Sequence, residues 1–115
     1  MPNIKTVAVT GANGKLGGPL CEALVAEGYQ VFAADLRLPI DIDGVEEVQL
    51  DVADAAGVND LVARSDAVIH LASCKESRDA VIGVSAQGTF NLLEAAVHSG
   101  RPQRVILASG DAVNG

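Results

Sequence analysis

Apolar segments of strand length alternate with longer amphipathic stretches along the chain. Five short apolar runs predict β-strands, namely Lys5–Thr10, Gln30–Asp35, Val45–Leu50, Asp66–Ala72 and Arg104–Ser109. Stretches with an apolar residue every three or four positions predict three helices, at Lys15–Glu27, from Asp54 to about Ala63, and from about Asp79 to Ser99. Pro39–Gly44 is predicted to be a loop.

Local signals support the predicted helix ends. In the first helix, Leu16, Leu20 and Leu24 fall on one face, and Gly28 ends the pattern. Asp54 is a suitable N-cap for the short second helix, since its carboxylate can accept a hydrogen bond from the first turn. We therefore expect helices that pack through one apolar face each.

The order of these elements predicts an α/β fold. Near-continuous apolar strands that alternate with helices are typical of a parallel sheet covered on both faces. Right-handed crossovers favour a doubly wound, Rossmann-like sheet of about five strands in the order 3-2-1-4-5. We interpret residues 1–115 as one domain that is truncated after the fifth strand, so that further strands and a substrate region are absent.

Composition and charge exclude several kinds of protein. The 115 residues are 49% hydrophobic but only 3% aromatic, so the core must consist of Ala, Val, Leu and Ile. A net charge of -7 repels phosphate backbones and disfavours nucleic-acid binding. No apolar run approaches the roughly 18 residues of a membrane span. Without a signal peptide, a cysteine framework or a metal-ligand spacing, we expect a cytoplasmic protein with no metal site.

A glycine-rich turn lies between the first predicted strand and the first predicted helix. It reads Thr10-Gly11-Ala12-Asn13-Gly14-Lys15-Leu16-Gly17. Gly11 suits a sharp turn, Gly14 a close approach to a pyrophosphate, and Gly17 close packing of the helix on the sheet. The N–H groups of the helix start then face the anion. We therefore predict a dinucleotide site formed by Gly11, Asn13, Gly14, Lys15, Leu16 and Gly17.

An acidic residue follows the turn at the distance that this kind of site requires. Asp35 lies 18 residues beyond Gly17, at the end of the second predicted strand. A carboxylate there can bind both ribose hydroxyls of NAD and would repel the 2′-phosphate of NADP. We expect NAD, although Arg37 could contact a phosphate and keeps NADP as the alternative. The competing interpretation is a plain tight turn with a solvated acid.

These segments together resemble the extended short-chain dehydrogenase/reductase superfamily, in its NAD-dependent epimerase/dehydratase branch, over essentially the whole chain. The resemblance implies that Asp51 holds the adenine amino group and that the backbone of Val52 contacts the ring. The segment that runs beside the cofactor ribose in the family is matched by His70-Leu71-Ala72-Ser73. This match implies cofactor contacts from Leu71, Ala72 and Ser73.

The catalytic positions of the family are poorly matched. Its catalytic Ser or Thr aligns with Gly110, and Ser109, one position earlier, is the remaining candidate. A one-residue shift turns a strand side chain to the other face. The family's Tyr-x-x-x-Lys is absent, because the one tyrosine, Tyr29, has no lysine four positions later. We expect the chain to bind cofactor far better than it turns over a substrate.

Two functions of different classes remain open. The first is the NAD-binding half of an epimerase, dehydratase or dehydrogenase that transfers hydride at a hydroxyl-bearing carbon, such as that of a sugar or nucleotide sugar. The second is a non-catalytic NAD(H)-binding sensor or regulatory module. In both cases we expect self-association through the long helix or through the bare apolar edge of the fifth strand.

Other residues are expected to have structural roles. His70 lies in an apolar strand and is expected to be a packed, hydrogen-bonded histidine. Cys21 is interpreted as a small core residue, and Gly88 as a site of close helix packing. Glu46 and Glu47 are expected to be a solvated strand edge.

Overall fold

Five parallel strands and three helices make up the described part of the fold. The computed structural model describes residues 4–71, 88–99 and 104–107. The strands are β1 Thr6–Thr10, β2 Gln30–Asp35, β3 Val45–Gln49, β4 Ala67–His70 and β5 Arg104–Leu107. The helices are α1 Gly17–Ala26, α2 Ala55–Ala63 and α3 Gly88–Ser99. None of these described helices is long and apolar enough to cross a membrane.

The strands form one sheet in the order β3-β2-β1-β4-β5, which confirms the predicted topology. β1 lies at the centre, where Val9 is in register with Ala33 of β2 and with Ile69 of β4. The chain therefore builds the sheet outward on one side of β1 and then on the other. The point where this direction reverses, between β1 and β4, opens a crevice at the carboxyl ends of the strands.

Helices cover both faces of the sheet, as the apolar strands predict. On one face, Ala8, Phe32 and Val68 pack with residues of α2 and α3, including Leu61 and Leu92. On the other face, the alternate strand residues pack against α1 through a second cluster that includes Val9, Val31, Ala33 and Cys21. Burial raises the pKa of the Cys21 thiol to about 11, which fits its role as a core residue.

Glycine allows the start of α3 to approach Val52, just beyond the end of β3, closely. A Cβ added to Gly88 would lie 2.6 Å from Val52 Cγ2. The side-chain amide of Asn91, one turn further along the helix, donates to the carbonyl of Val52 at 3.0 Å. The predicted packing role of Gly88 is therefore confirmed.

The first helix begins two residues later than the sequence predicts. Leu16 is the N-cap of α1 rather than part of its packed face, and its side chain is 66% exposed. The physical reason is the turn before it, where the N–H of Gly14 donates to the carbonyl of Gly11 at 3.1 Å and delays the helical pattern. In contrast, α2 begins as predicted, since Asp54 Oδ1 accepts from the N–H of Ala56. The predicted positions 72, 79–87 and 108–109 lie outside the described residues.

Replacement of Gly17 by Ala is expected to destabilise the fold. A Cβ on Gly17 would lie 2.6 Å from Ala12 Cα, a backbone atom that cannot move alone. We expect a loss of about 2 kcal/mol in the free energy of unfolding, measured by chemical denaturation.

Gly18→Ala is the matched control, because the nearest atom to its added Cβ is 4.0 Å away, at Ile42 Cδ1. This variant should lose less stability than Gly17→Ala, because the better helix propensity of Ala offsets the crowding that the ring of Pro19 imposes on a Cβ of the preceding residue. Equal effects of the two substitutions would contradict the packing argument.

Candidate functional site

The glycine-rich turn lies at the carboxyl end of β1, beside the reversal point of the sheet. Gly11 has a φ of 71°, in the left-handed region that favours glycine. The N–H of Ala12 donates to the carbonyl of Ala34 at 3.1 Å, which ties the turn to β2. Together with the close contact of Gly17, this bond fixes the path of the chain from β1 into α1. The conformational demands predicted for Gly11 and Gly17 are thus met.

The start of α1 has the properties of an anion-binding site. Its N-cap Leu16 makes no side-chain cap hydrogen bond, and its first turn contains no acidic residue. Among the described residues, no backbone carbonyl accepts from the N–H groups of Lys15 or Leu16. The positive end of the helix dipole and the exposed Lys15 add favourable charge. A pyrophosphate is a chemically suitable ligand for this end of the helix.

Asp35, at the end of β2, is in direct contact with the turn. Its Oδ2 accepts from the N–H of Asn13 at 2.9 Å, and its Oδ1 accepts from the N–H of Arg37 at 2.9 Å. Each carboxylate oxygen has a second lone pair that can accept a further hydrogen bond. The carboxylate is therefore held in place while it keeps the capacity to accept from a pair of neighbouring hydroxyls.

Polar side chains also fix the loop that follows Asp35. The amide of Asn13 donates to the carbonyls of Arg37 at 3.0 Å and Pro39 at 3.4 Å. Oε2 of Glu47 accepts from the N–H groups of Ile40 at 2.8 Å and Asp41 at 3.1 Å. Glu46 and Glu47 are exposed, as expected for a solvated strand edge, but the carboxylate of Glu47 also anchors the loop that folds back over β3.

Asp51 and Val52 lie just beyond β3, at the same edge of the sheet as Asp35. Asp51 Oδ1 accepts from the N–H of Ala53 at 2.9 Å, and its carbonyl accepts from the N–H of Asp54 at 2.8 Å. The Asp51 side chain is exposed, whereas Val52 is buried. These bonds form a tight turn that presents the Asp51 carboxylate to solvent and leads directly into α2.

Thr10 and His70 form a buried pair across β1 and β4. Thr10 Oγ1 lies 2.7 Å from His70 Nδ1, and His70 is 4% exposed. The N–H of Leu71 donates to Thr10 Oγ1 at 3.1 Å, which places Leu71 beside the turn. Within the described segments, His70 Nε2 has no hydrogen-bond partner. The structure confirms that His70 is a packed, hydrogen-bonded histidine, and its burial lowers the imidazole pKa.

The predicted site residues divide into three groups. The turn residues at 11–17 meet Asp35 and the backbone of Arg37, and Leu71 lies directly after the adjacent strand β4. Asp51 and Val52 lie two strands away from β1 along the same edge. Ala72, Ser73, Ser109 and Gly110 lie outside the described residues. Over the ranges that the structure covers, no three His, Cys, Asp or Glu side chains could hold a metal ion.

The sequence interpretation missed the roles of Thr10, Glu47 and Asn91. Thr10 is a polar residue at the end of an otherwise apolar strand, which was an available signal. Asn91 likewise interrupts the packed face of α3, next to the buried Leu92. Glu47 gave no such signal, because a charged residue on an edge strand is common.

Comparison with known proteins identifies related chains. Residues 7–115 match the model of the NAD dependent epimerase/dehydratase family. The uronate dehydrogenase of Agrobacterium fabrum is 37% identical over 116 residues, which cover 94% of this chain and 42% of that protein. The chain thus spans less than half the length of this relative.

Solved structures agree with this relationship. The crystal structure of a uronate dehydrogenase mutant from Agrobacterium tumefaciens complexed with NAD superposes with a TM-score of 0.81 at 35% identity, and the match covers 92% of this chain and 41% of that one. A crystal structure of UDP-galactose 4-epimerase gives a TM-score of 0.82 at 28% identity, with coverage of 96% and 40%. The described fold is therefore the Rossmann-like fold of these enzymes.

His70 is expected to make stability depend on pH. Its pKa lies below the ordinary value of 6.5 in the folded state, so the unfolded chain takes up a proton first as the pH falls. The free energy of unfolding should therefore decrease as the pH falls below about 6.5, by at most about 1.4 kcal/mol per pH unit from this group.

Denaturation at several pH values between about 8 and about 5.5 measures this dependence. His70→Gln should show a shallower decrease than the wild-type chain, whereas His98→Gln, at an exposed position of α3, should retain the wild-type decrease. A wild-type slope in His70→Gln would show that His70 does not cause the effect.

Proposed function

The chain belongs to the NAD-dependent epimerase/dehydratase family, and we propose that it is the cofactor-binding half of an NAD-dependent oxidoreductase or epimerase. The observation that carries the proposal is the contact between Asp35 and the N–H of Asn13. This contact brings a carboxylate suited to a ribose diol next to a helix start suited to a pyrophosphate. The adenosine ribose and the pyrophosphate are adjacent in a dinucleotide.

The proposed cofactor contacts follow the edge of the sheet. Backbone groups of the turn, at Gly11, Asn13, Gly14, Lys15, Leu16 and Gly17, would surround the pyrophosphate. The Asp35 carboxylate would accept hydrogen bonds from the hydroxyls of the adenosine ribose. Asp51 and the backbone of Val52 would contact the adenine. Leu71, Ala72 and Ser73 would run beside the second ribose. The positions of Asp35 and of Leu71 beside Thr10 support this arrangement.

We propose NAD as the preferred cofactor. The Asp35 carboxylate is fixed by two N–H groups and would repel a 2′-phosphate at the position where it accepts from the ribose of NAD. Arg37 remains the residue through which NADP could bind, since its backbone lies within hydrogen-bond distance of the same carboxylate. We propose a cytoplasmic location, where a buried cysteine such as Cys21 stays reduced.

For the complete protein, we propose hydride transfer at a hydroxyl-bearing carbon of a sugar or sugar acid. The 37% sequence identity to a uronate dehydrogenase and the structural match to an epimerase support this substrate class. The bound nicotinamide would accept the hydride. The residues of this chain would bind and orient the cofactor, with Ser109 as the candidate that could contact the reacting hydroxyl.

The second candidate function is a non-catalytic NAD(H)-binding module, favoured by Gly110 at the position of the family's serine. The two functions differ in whether hydride is transferred, and net NADH accumulates only with a dehydrogenase, because an epimerase returns the hydride to its product. An absorbance assay for NADH, with NAD and a panel of uronic acids and aldoses, therefore detects the dehydrogenase, and chromatography of the sugar products detects the epimerase. Substrate-dependent NADH formation excludes the binding module, and an open reading frame without Tyr-x-x-x-Lys after the Gly115 codon excludes the enzyme.

We also propose that the chain self-associates through α3. Phe90, Leu93 and Val97 are exposed and form one apolar stripe along this helix. Ile106 of β5 is exposed as well, at the edge of the sheet that the structure describes. Adjacent exposed apolar side chains on a helix mark a surface for protein contact.

Removal of the Asp35 carboxylate is expected to weaken NAD binding. Two hydrogen bonds from ribose hydroxyls to a charged group would be lost, so Asp35→Ala should raise the Kd for NAD about tenfold or more. The same change should lower the Kd for NADP relative to that for NAD. Isothermal titration calorimetry with each cofactor measures both values.

Asp60→Ala, at an exposed position of α2, is the matched control and should bind as the wild-type chain does. A wild-type chain that prefers NADP would show that the role assigned to Asp35 is wrong. A wild-type chain that binds neither cofactor would refute the proposed function.

Self-association is expected at tens of micromolar in sedimentation velocity. Val97→Glu should shift the chain toward monomer, because a charge in the apolar stripe opposes its burial. Ile106→Lys tests the strand edge separately. A monomeric wild-type chain at these concentrations would contradict the proposal.

A further inference from the structure

Three polar side chains hold the loop between β2 and β3, at residues 36–44. Asn13 binds it from the glycine-rich turn, and Glu47 binds it from β3. Gln49, also on β3, donates from its amide to the carbonyl of Leu36 at 3.3 Å. The loop that follows the ribose-binding carboxylate is therefore anchored on both sides.

Asn13, Asp35 and Arg37 form a closed ring of hydrogen bonds. The N–H of Asn13 donates to Asp35 Oδ2, and the N–H of Arg37 donates to Asp35 Oδ1. The ring is closed by the Asn13 side-chain amide, which donates to the carbonyl of Arg37. Each residue is thus held by the two others.

Asn13 is the residue of the ring that connects the turn to the loop through its side chain. The bonds to Asp35 come from backbone N–H groups, which any residue other than proline provides at those positions. The amide of Asn13 has no such substitute, because its bonds to the carbonyls of Arg37 and Pro39 require a side-chain donor. Loss of this amide would release the loop from the turn without removal of any cofactor contact made by the backbone.

We propose that Asn13 is a positioning residue for cofactor selectivity, acting through Asp35. This inference rests on the proposed binding of a dinucleotide at the turn. With the ring closed, the Asn13 amide holds the main chain of Arg37, and the N–H of Arg37 in turn holds Asp35 Oδ1 in the orientation that would repel a 2′-phosphate. With the ring open, the Arg37 N–H can move, and the Asp35 carboxylate can turn with it away from the 2′-phosphate of NADP.

The expected effect is a change in selectivity rather than a loss of binding. Asn13 is exposed, and an exposed hydrogen bond between neutral groups contributes about 1 kcal/mol. Asn13→Ala should therefore lower the ratio of the Kd for NADP to the Kd for NAD about fivefold. A residue that only supported the fold would weaken the binding of both cofactors by the same factor.

The test measures this ratio by calorimetry on the full chain, with NAD and NADP titrated separately. Asn59→Ala, at an exposed position of α2, is the matched control and should keep the wild-type ratio. Circular dichroism of each variant verifies that it is folded. In an Asp35→Ala background, Asn13→Ala should leave the ratio unchanged, because its effect is transmitted by that carboxylate.

Three results would overturn the inference. They are an unchanged ratio in Asn13→Ala, an equal loss of affinity for both cofactors, and an equal change of the ratio with and without Asp35. In each of them, NAD binding by the wild-type chain would leave the proposed function intact. A wild-type chain that binds neither cofactor refutes the proposed function, and the inference with it.

Discussion

The close contact between the start of α1 and the end of β1 is the constraint on which the site depends. Gly17 packs against the backbone of Gly11 and Ala12 so tightly that no Cβ fits between them. This contact sets where the helix begins and directs its first N–H groups toward the crevice at the reversal point of the sheet. The positive φ of Gly11 and the bond from Ala12 to Ala34 complete the same turn. Anion-binding geometry here is thus a consequence of backbone packing.

The parallel sheet places the other candidate cofactor residues along the same edge as this turn. Because all strands are parallel, their carboxyl ends lie on one edge, and residues that follow β1, β2, β3 and β4 meet there. Asp35, at the end of β2, lies one strand away from the turn, and Asp51, just beyond β3, lies two strands away. The core below this edge is built mainly from Ala, Val and Leu, but the aromatic Phe32 is also buried in it, so the expectation of a purely aliphatic core is wrong at this residue. The helices on both faces leave the edge accessible.

Sequence patterns predicted those parts of the molecule that depend on residues near each other in the chain. The strands, their order, the Asp54 cap and the turn follow from periodicity, crossover handedness and glycine spacing. The burial of His70 followed from its apolar neighbours. The bonds of Asn13 to Arg37, of Glu47 to Ile40 and of Asn91 to Val52 did not follow, since each joins a polar side chain to a backbone group on another element. Periodicity states which face a residue occupies but not which distant backbone group it meets. Leu16 shows the same limit. Its spacing from Leu20 and Leu24 predicted a place on the packed face of the helix, whereas it is the N-cap of α1.

The two ends of the site differ in how freely they can change during evolution. The proposed pyrophosphate end consists of backbone groups and is constrained by the packing of Gly17, so substitutions there disturb the fold. The proposed ribose end consists of Asp35 at the end of β2 and of the loop after it, in which residues 36–39 are exposed and Ile40 is buried. Substitutions at 36–39 therefore change exposed side chains. Under the proposed function, cofactor selectivity would change at this end while the fold and the start of α1 remain as they are. The Asn13 ring joins the two ends, and such changes would be transmitted through it to Asp35.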